Sequence, residues 1–259
     1  MSRLRARCPD CHTLTAVALG EGYECHSCGR SFGAGLVRVP AAWGDGGESM
    51  MEAARLPLPY PDVAVIEEPT LVEQSLALAA GLPERPLVLG GCCCSHVGAV
   101  EGLAARHGRL SLVWLDAHGD LNTPETSPSG NEWGMPLRML IDSGTVTAED
   151  VVLVGARSLD APEEEFIVRA GVHTGVEGIE AALEGTEAVY VALDVDVLRP
   201  GGDVEPFMPE PGGPTSEEIA VVLERVAASK PLVGAGLTGL AGAPGNAESV
   251  QRFTRALGL

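Results

Sequence analysis

From residue 36 onward the chain alternates short apolar runs with stretches of helical period, and this constrains its fold more than any other feature. The runs Leu36–Val39, Val63–Ile66, Leu87–Leu89, Leu110–Leu115, Val151–Val154, Ala188–Leu193 and Leu232–Leu237 read as strands. Between them, Leu71–Ala80, Val97–His107, Pro136–Asp142, Glu163–Ala170, Ser216–Ala228 and Glu248–Leu257 read as helices, with Ser216 and Glu218 marking a helix start. Strands that are apolar throughout have both faces covered, and strand–helix alternation joins parallel neighbours. The expected fold is α/β, a mainly parallel sheet with helices on both faces. At 259 residues the chain fits one large domain, or one domain and a small module.

The small module is predicted at the N-terminus. Cys8-Pro-Asp-Cys11 and Cys25-His-Ser-Cys28 are two CxxC knuckles separated by thirteen residues. Four thiolates at that spacing can surround a structural zinc ion, and Thr13–Glu24, alternating around Gly20 and Gly22, suits a hairpin between them. Disulfides or free thiols are the alternative. A ribbon of this size has almost no core, so the metal would supply its folding energy. The expected division is a zinc ribbon over 1–34 and an α/β domain over 35–259.

Charge narrows the function classes. The chain carries −19 in total, while residues 1–40, with five arginines and three acids, carry +2. Nucleic acid and anionic lipid would be repelled by such a body; Arg3, Arg5 and Arg7 make only a weak basic patch. No apolar run approaches the ~20 residues of a membrane span, and the start of the chain lacks the apolar core of a secretory signal. A cytoplasmic location is expected, where the seven cysteines read as metal ligands or reactive thiols.

Chemistry concentrates at strand ends. Leu112–Asp120 is an apolar strand running into Asp116, His118 and Asp120, and Val189–Asp196 is another running into Asp194 and Asp196. On an extended chain residues i, i+2 and i+4 face one way, so these side chains are expected to converge. Such a group repels itself unless cations lie within it; carboxylates shared by two divalent ions satisfy it. Turn and cap roles for the aspartates are the alternative. A third strand ends in Gly90-Gly91 and then Cys92, Cys93 and Cys94, which read as small buried side chains or as reactive groups at a ligand-binding strand end.

Gly90-Gly91, Asp116-Ala-His-Gly-Asp120, and Asp194-Val-Asp196 with Arg199-Pro200 resemble the signatures of the ureohydrolase superfamily, which includes arginase and agmatinase. The loop Leu121–Asn131 is similar to the arginase substrate loop. The resemblance covers residues 36–259. It implies a three-layer α/β/α fold, a binuclear centre usually of manganese, and a homotrimer or homohexamer acting on a small molecule. By the same resemblance, Cys93, Asp116, Asp120 and Asp194 would hold one ion, and Asp116, His118, Asp194 and Asp196 the other. Asn122, Ser129 and Asn131 would face a substrate carboxylate, and Asp160, with Glu163, its amino group. A metal-bound hydroxide, oriented by Asp120, would attack a trigonal C–N carbon, with Asp116 and His118 in the same catalytic set.

Three departures from the family stand out. The usual metal-binding histidine is replaced by Cys93, a softer ligand that favours zinc, iron or cobalt; a single-ion site, or His96 as substitute ligand, is the alternative. Trp133 replaces the histidine that carries protons, leaving Glu132 as the neighbouring candidate, and Trp133 itself could stack over substrate. After the last strand, Gly239 stands where a glutamate grips the guanidinium, so arginase activity is not expected. The reading is a metal-dependent hydrolase of a C–N bond in a small guanidine-, amidine- or amide-like compound. The alternatives are a non-catalytic regulatory member of the family and a redox sensor built on Cys92–Cys94.

Overall fold

The structure is a computed structural model and describes residues 5–6, 8, 10–11, 13–19 and 22–259. Arg3 and Arg7 of the basic patch and Gly20 of the hairpin lie outside the described residues. Near the N-terminus, β1 (Arg5–Ala6), β2 (Ala16–Leu19), β3 (Gly22–Cys25) and β4 (Ser31–Phe32) form an antiparallel sheet in that order. Its buried set is small, Cys8, Ala16, Cys25 and Phe32, with Tyr23 stacked on Phe32. Arg30 Nη2 fastens this sheet to the rest of the molecule by donating to the Leu259 carbonyl at 3.1 Å.

The large sheet comprises β5 (Ala34–Val39), β6 (Asp62–Val65), β7 (Arg85–Gly90), β8 (Leu110–Leu115), β9 (Val151–Val154), β10 (His173–Thr174), β11 (Ala188–Asp194) and β12 (Leu232–Thr238). Its order is β10-β9-β8-β11-β12-β7-β5-β6, and every pairing is parallel. The helices are α1 (Glu48–Ala53), α2 (Leu71–Gly81), α3 (Ser95–His107), α4 (Pro136–Asp142), α5 (Ala161–Ala170), α6 (Ile179–Leu183), α7 (Ser216–Ser229) and α8 (Asn246–Ala256).

Alternation along each strand divides the core in two. Leu87, Leu89, Val113, Leu115, Val191, Leu193 and Leu237 face α6, α7 and α8 through Ile179, Leu223, Val226 and Phe253. Val88, Leu112, Trp114, Tyr190 and Ala192 face α2 to α5 through Leu78, Val100, Leu103, Leu140 and Phe166. The result is the expected three-layer α/β/α fold. Short elements escape the sequence pattern: α1, α6 and β10 have six, five and two residues, too few to show a period. α7 starts at Ser216, where the sequence puts it. Thr215 is the cap, its hydroxyl accepting from Glu218 N while Glu218 accepts from Thr215 N, so Ser216 is the first helical residue.

One rung of the sheet positions everything that follows. Leu115 pairs with Leu193, Leu193 with Leu237, and Leu237 with Leu89, so four adjacent strands finish level. The residues just beyond that buried rung, Asp116, Asp194, Thr238 and Gly90, open one crevice at the carboxyl ends of the central strands.

Candidate metal centre

At this crevice the aspartates are almost wholly buried: Asp116 is 1% exposed, Asp120 4%, Asp194 7% and Asp196 2%. The ligand atoms of Cys93, Asp116 and Asp120 lie within 4.8 Å of one another, as do those of Asp116, His118 and Asp196. Asp116 joins the two groups. Its Oδ2 lies 3.6 Å from Cys93 Sγ, and its Oδ1 lies 3.4 Å from His118 Nδ1. Asp194 lies beside both, with Oδ2 3.1 Å from Cys93 Sγ and Oδ1 accepting from Asp196 N at 3.0 Å. Asp194 therefore also caps the short turn Val195–Val197, so cap and cluster roles coincide in one side chain.

The convergence has a different local cause from the one expected. Extended backbone ends at Leu115, and Asp120 has φ +52°, in the left-handed region. His118 and Asp120 are thus brought back by a loop that folds over Asp116, whose Oδ1 accepts from His118 N at 2.7 Å. Such a backbone carries strain and persists only where its surroundings hold it.

The cluster's electrostatics call for cations. Burial, then the charge of Asp194, pushes the Asp116 carboxyl above the ordinary carboxylate range. Burial, then Asp116, does the same to Asp120, and burial with a neighbouring carboxylate raises Asp194 and Asp196 to about 7. Burial opposes protonation of His118, but Asp116 and Asp196 outweigh it and hold that imidazole up at about 12. Burial, then Asp120, lifts the Cys93 thiol. Among the described residues no arginine or lysine pairs with these aspartates, and the buried Asp120 Oδ2 has no hydrogen-bond partner. Sulfur, imidazole and carboxylate donors, short of positive charge and including one unpartnered oxygen, fit divalent metal ions.

Above the cluster lies a cavity of about 410 Å³. Asn122, Ser129, Asn131, Trp133 and Asp160 all line it, with Cys93, Asp116, His118, Asp120, Asp194 and Asp196 at its floor. Asn122 Nδ2 donates to Asp160 Oδ2 at 2.8 Å, Ser129 Oγ accepts from Asn131 N, and Asn131 Oδ1 accepts from Asp45 N. Glu163 also lines the cavity, and its oxygens accept from Leu121 N and Asp160 N at 2.9 Å each. Trp133 lies over Gly44, where a Cβ would come within 2.4 Å of the indole, and meets Phe207 edge-on at 6.3 Å. Glu132 is exposed.

His96 sits in the first turn of α3, where it is buried with both its nitrogens engaged. Nδ1 lies 3.0 Å from Tyr190 Oη and Nε2 3.4 Å from Thr238 Oγ1. Cys92 and Cys94 pack with Met50 and Leu71 in an apolar cluster, so the small-side-chain reading describes them, whereas Cys93 belongs to the centre. The sequence reading missed Thr238, whose hydroxyl lies 3.2 Å from Cys93 Sγ and 3.1 Å from Asp194 Oδ2. It also missed Arg157, which donates to the carbonyls of Gly155, Asp196, Val197, Glu210 and Pro211 and so ties together the loops after β9 and β11. Its position just past a strand end was the available signal. Glu210 Oε1 then lies 3.5 Å from His118 Nε2.

In the N-terminal sheet, Cys8, Cys11, Cys25 and Cys28 bring their sulfurs within 4.8 Å of one another. The Cys8–Cys28 and Cys11–Cys25 separations are 3.5 Å, longer than the ~2.05 Å of a disulfide. Thr15 hydrogen bonding holds the Cys25 thiol down at about 5.

The family model described as the Arginase family matches residues 56–249. The chain belongs to the arginase family. An arginase of Bacillus caldovelox is 36% identical over 176 residues, covering 58% of this chain and 59% of that protein. The chain thus matches about six-tenths of that relative's length. The crystal structure of Bacillus caldovelox arginase superposes with a TM-score of 0.74 at 27% identity, over 86% of this chain and 97% of that one. Formimidoylglutamase from Bacillus subtilis shares the fold alone, at 16% identity and TM-score 0.70, over 87% of this chain and 86% of that one. In this chain Cys93 stands at the centre, and the segment after β12, residues 239–247, holds no carboxylate. Among the described residues no helix is long and apolar enough to cross a membrane.

Proposed function

We propose that this arginase-family chain hydrolyses a C–N bond in a small guanidine-, amidine- or amide-like compound, using two divalent ions held at the crevice. The observation that carries the reading is the pair of ligand groups sharing Asp116 on the floor of the cavity. Cys93, Asp116, Asp120 and Asp194 would hold one ion, and Asp116, His118, Asp194 and Asp196 the other. When bound, the ions supply Lewis acidity, which polarises the bond under attack and brings the pKa of water towards ~7.

The chain's own residues supply the remainder. Asp120 Oδ2, without a hydrogen-bond partner among the described residues, would accept a hydrogen bond from the attacking water and aim it. Asn122 and Asp160 form one hydrogen-bonded pair on the wall that meets the polar end of a substrate. Trp133, Phe207 and Met208 make an apolar flank that limits water entry and offers a flat surface to a planar group. A cationic guanidinium would find no carboxylate in residues 239–247, and losing such a buried partner costs about 2–5 kcal/mol. A neutral substrate is favoured for that reason. The four sulfurs of the N-terminal sheet would hold a structural zinc. A homo-oligomer and a cytoplasmic setting complete the proposal.

The test is turnover of guanidino, amidino and amide compounds by wild type and Asp116→Ala, after supply of divalent metal. The wild type releases amine from at least one compound and the variant loses at least about 10³-fold of that rate, as expected when one residue serves both ions. Equal rates would contradict the proposal. A second reading, a ligand-binding member without catalysis, draws on Trp133 standing where the family's proton carrier stands; ordinary turnover would exclude it.

A further inference from the structure

The two ligand groups differ in chemistry. Around Cys93 the donors are one sulfur and the carboxylates of Asp116 and Asp120; around His118 they are one imidazole and the carboxylates of Asp116 and Asp196. The geometry points to a centre of two unlike positions: a thiophilic one, suited to zinc, at Cys93–Asp116–Asp120, and a nitrogen–oxygen one, suited to manganese, at Asp116–His118–Asp196. This rests on the metal-centre reading above and concerns which ion each position takes.

Three observations carry it. First, the thiol is fixed. Cys93 Sγ lies 3.1 Å from Asp194 Oδ2, 3.2 Å from Thr238 Oγ1 and 3.6 Å from Asp116 Oδ2, so it is turned inward to the carboxylates. Second, no imidazole replaces it. His96 is held behind Thr238, its nitrogens facing Thr238 and Tyr190, its ring edge-on to Trp114 and Tyr190 at 5.0 and 5.9 Å. A Cβ on the adjoining Gly236 would lie 2.6 Å from that ring, so the imidazole fills the space the glycine leaves. Third, Asp116 presents opposite oxygens to the two groups, which lets one carboxylate serve ions of different kind. Soft thiolate selects zinc, iron or cobalt, whereas carboxylate and imidazole donors accept manganese.

Cadmium-113 NMR of the full-length protein tests this, because the shift moves steadily with the number of sulfur ligands. Three environments are expected: a four-sulfur resonance from the N-terminal sheet, a one-sulfur resonance upfield of it, and a nitrogen–oxygen resonance furthest upfield. Cys93→Ser abolishes the one-sulfur resonance, and Cys93→His moves that cadmium into the nitrogen–oxygen range. Cys94→Ala, the matched loss of a buried thiol, keeps all three. If every cadmium outside the N-terminal sheet resonates in the nitrogen–oxygen range and ignores Cys93→Ser, the unlike-site inference is overturned while the metal centre stands. If no cadmium binds outside that sheet, both are overturned.

Discussion

At Gly239 the backbone has φ +70°, and a Cβ there would lie 1.9 Å from Asp194 Oδ1. Glycine is required at this point both for its conformation and for its lack of a side chain. Gly239→Ala therefore displaces Asp194 and, by the left-handed conformation alone, costs about 1–2 kcal/mol. The expected result is a folded protein by circular dichroism whose turnover falls at least tenfold; unchanged turnover would show that Asp194 has slack. The ligand residues themselves were legible in the sequence because carboxylates and a histidine after apolar strands are conspicuous. Their convergence was inferred from strand alternation, but the left-handed turn at Asp120 produces it, and no local pattern announces that conformation in an aspartate. Thr238 was illegible for another reason. Its partners, His96 and Asp194, lie 142 and 44 positions away, and an uncharged hydroxyl in an apolar strand looks like ordinary strand composition.

The level ends of β7, β8, β11 and β12 do the positioning at the next scale. Leu193, fully buried, pairs with Leu115 on one side and Leu237 on the other, and Asp194 and Asp196 follow directly. Leu193→Ala should cost about 2–5 kcal/mol of stability, measured by denaturant titration, from lost burial and the cavity left behind. A cost under 1 kcal/mol would mean that the rung does not carry the site. The main strands were readable as uninterrupted apolar runs and the main helices as the stretches between them; β8, β9 and α4 fall where the pattern puts them. Connections were not readable. Asn122 and Asn131 are held by partners far along the chain, Asp160 and Asp45, and only Ser129 by a side chain–backbone bond within its own loop, while Glu163 lines the cavity and also secures the turn after Asp120 and the start of α5.

For the molecule as a whole, the charge of −19 acquires a local meaning, since part of it is concentrated in one buried cluster. In the metal-free protein Asp194 and Asp196, raised to about 7 by burial and neighbouring charge, hold protons that the unfolded chain releases at the ordinary carboxylate value of 3.8. A raised folded-state pKa gives stability that is present at low pH and lost as pH rises through about 7. Thermal unfolding of chelator-treated protein should therefore show a midpoint several degrees higher near pH ~5 than near pH ~8, and metal should restore the loss at the higher pH. A chelated protein equally stable at both would show that the cluster is not under charge strain. The most direct measurement is elemental mass spectrometry of wild type and Asp116→Ala, both purified without chelator. Wild type should carry about three metal ions per chain, one from the four cysteines and two from the shared-carboxylate centre, and Asp116→Ala about one. About one ion in the wild type, unaffected by the substitution, would contradict the metal centre.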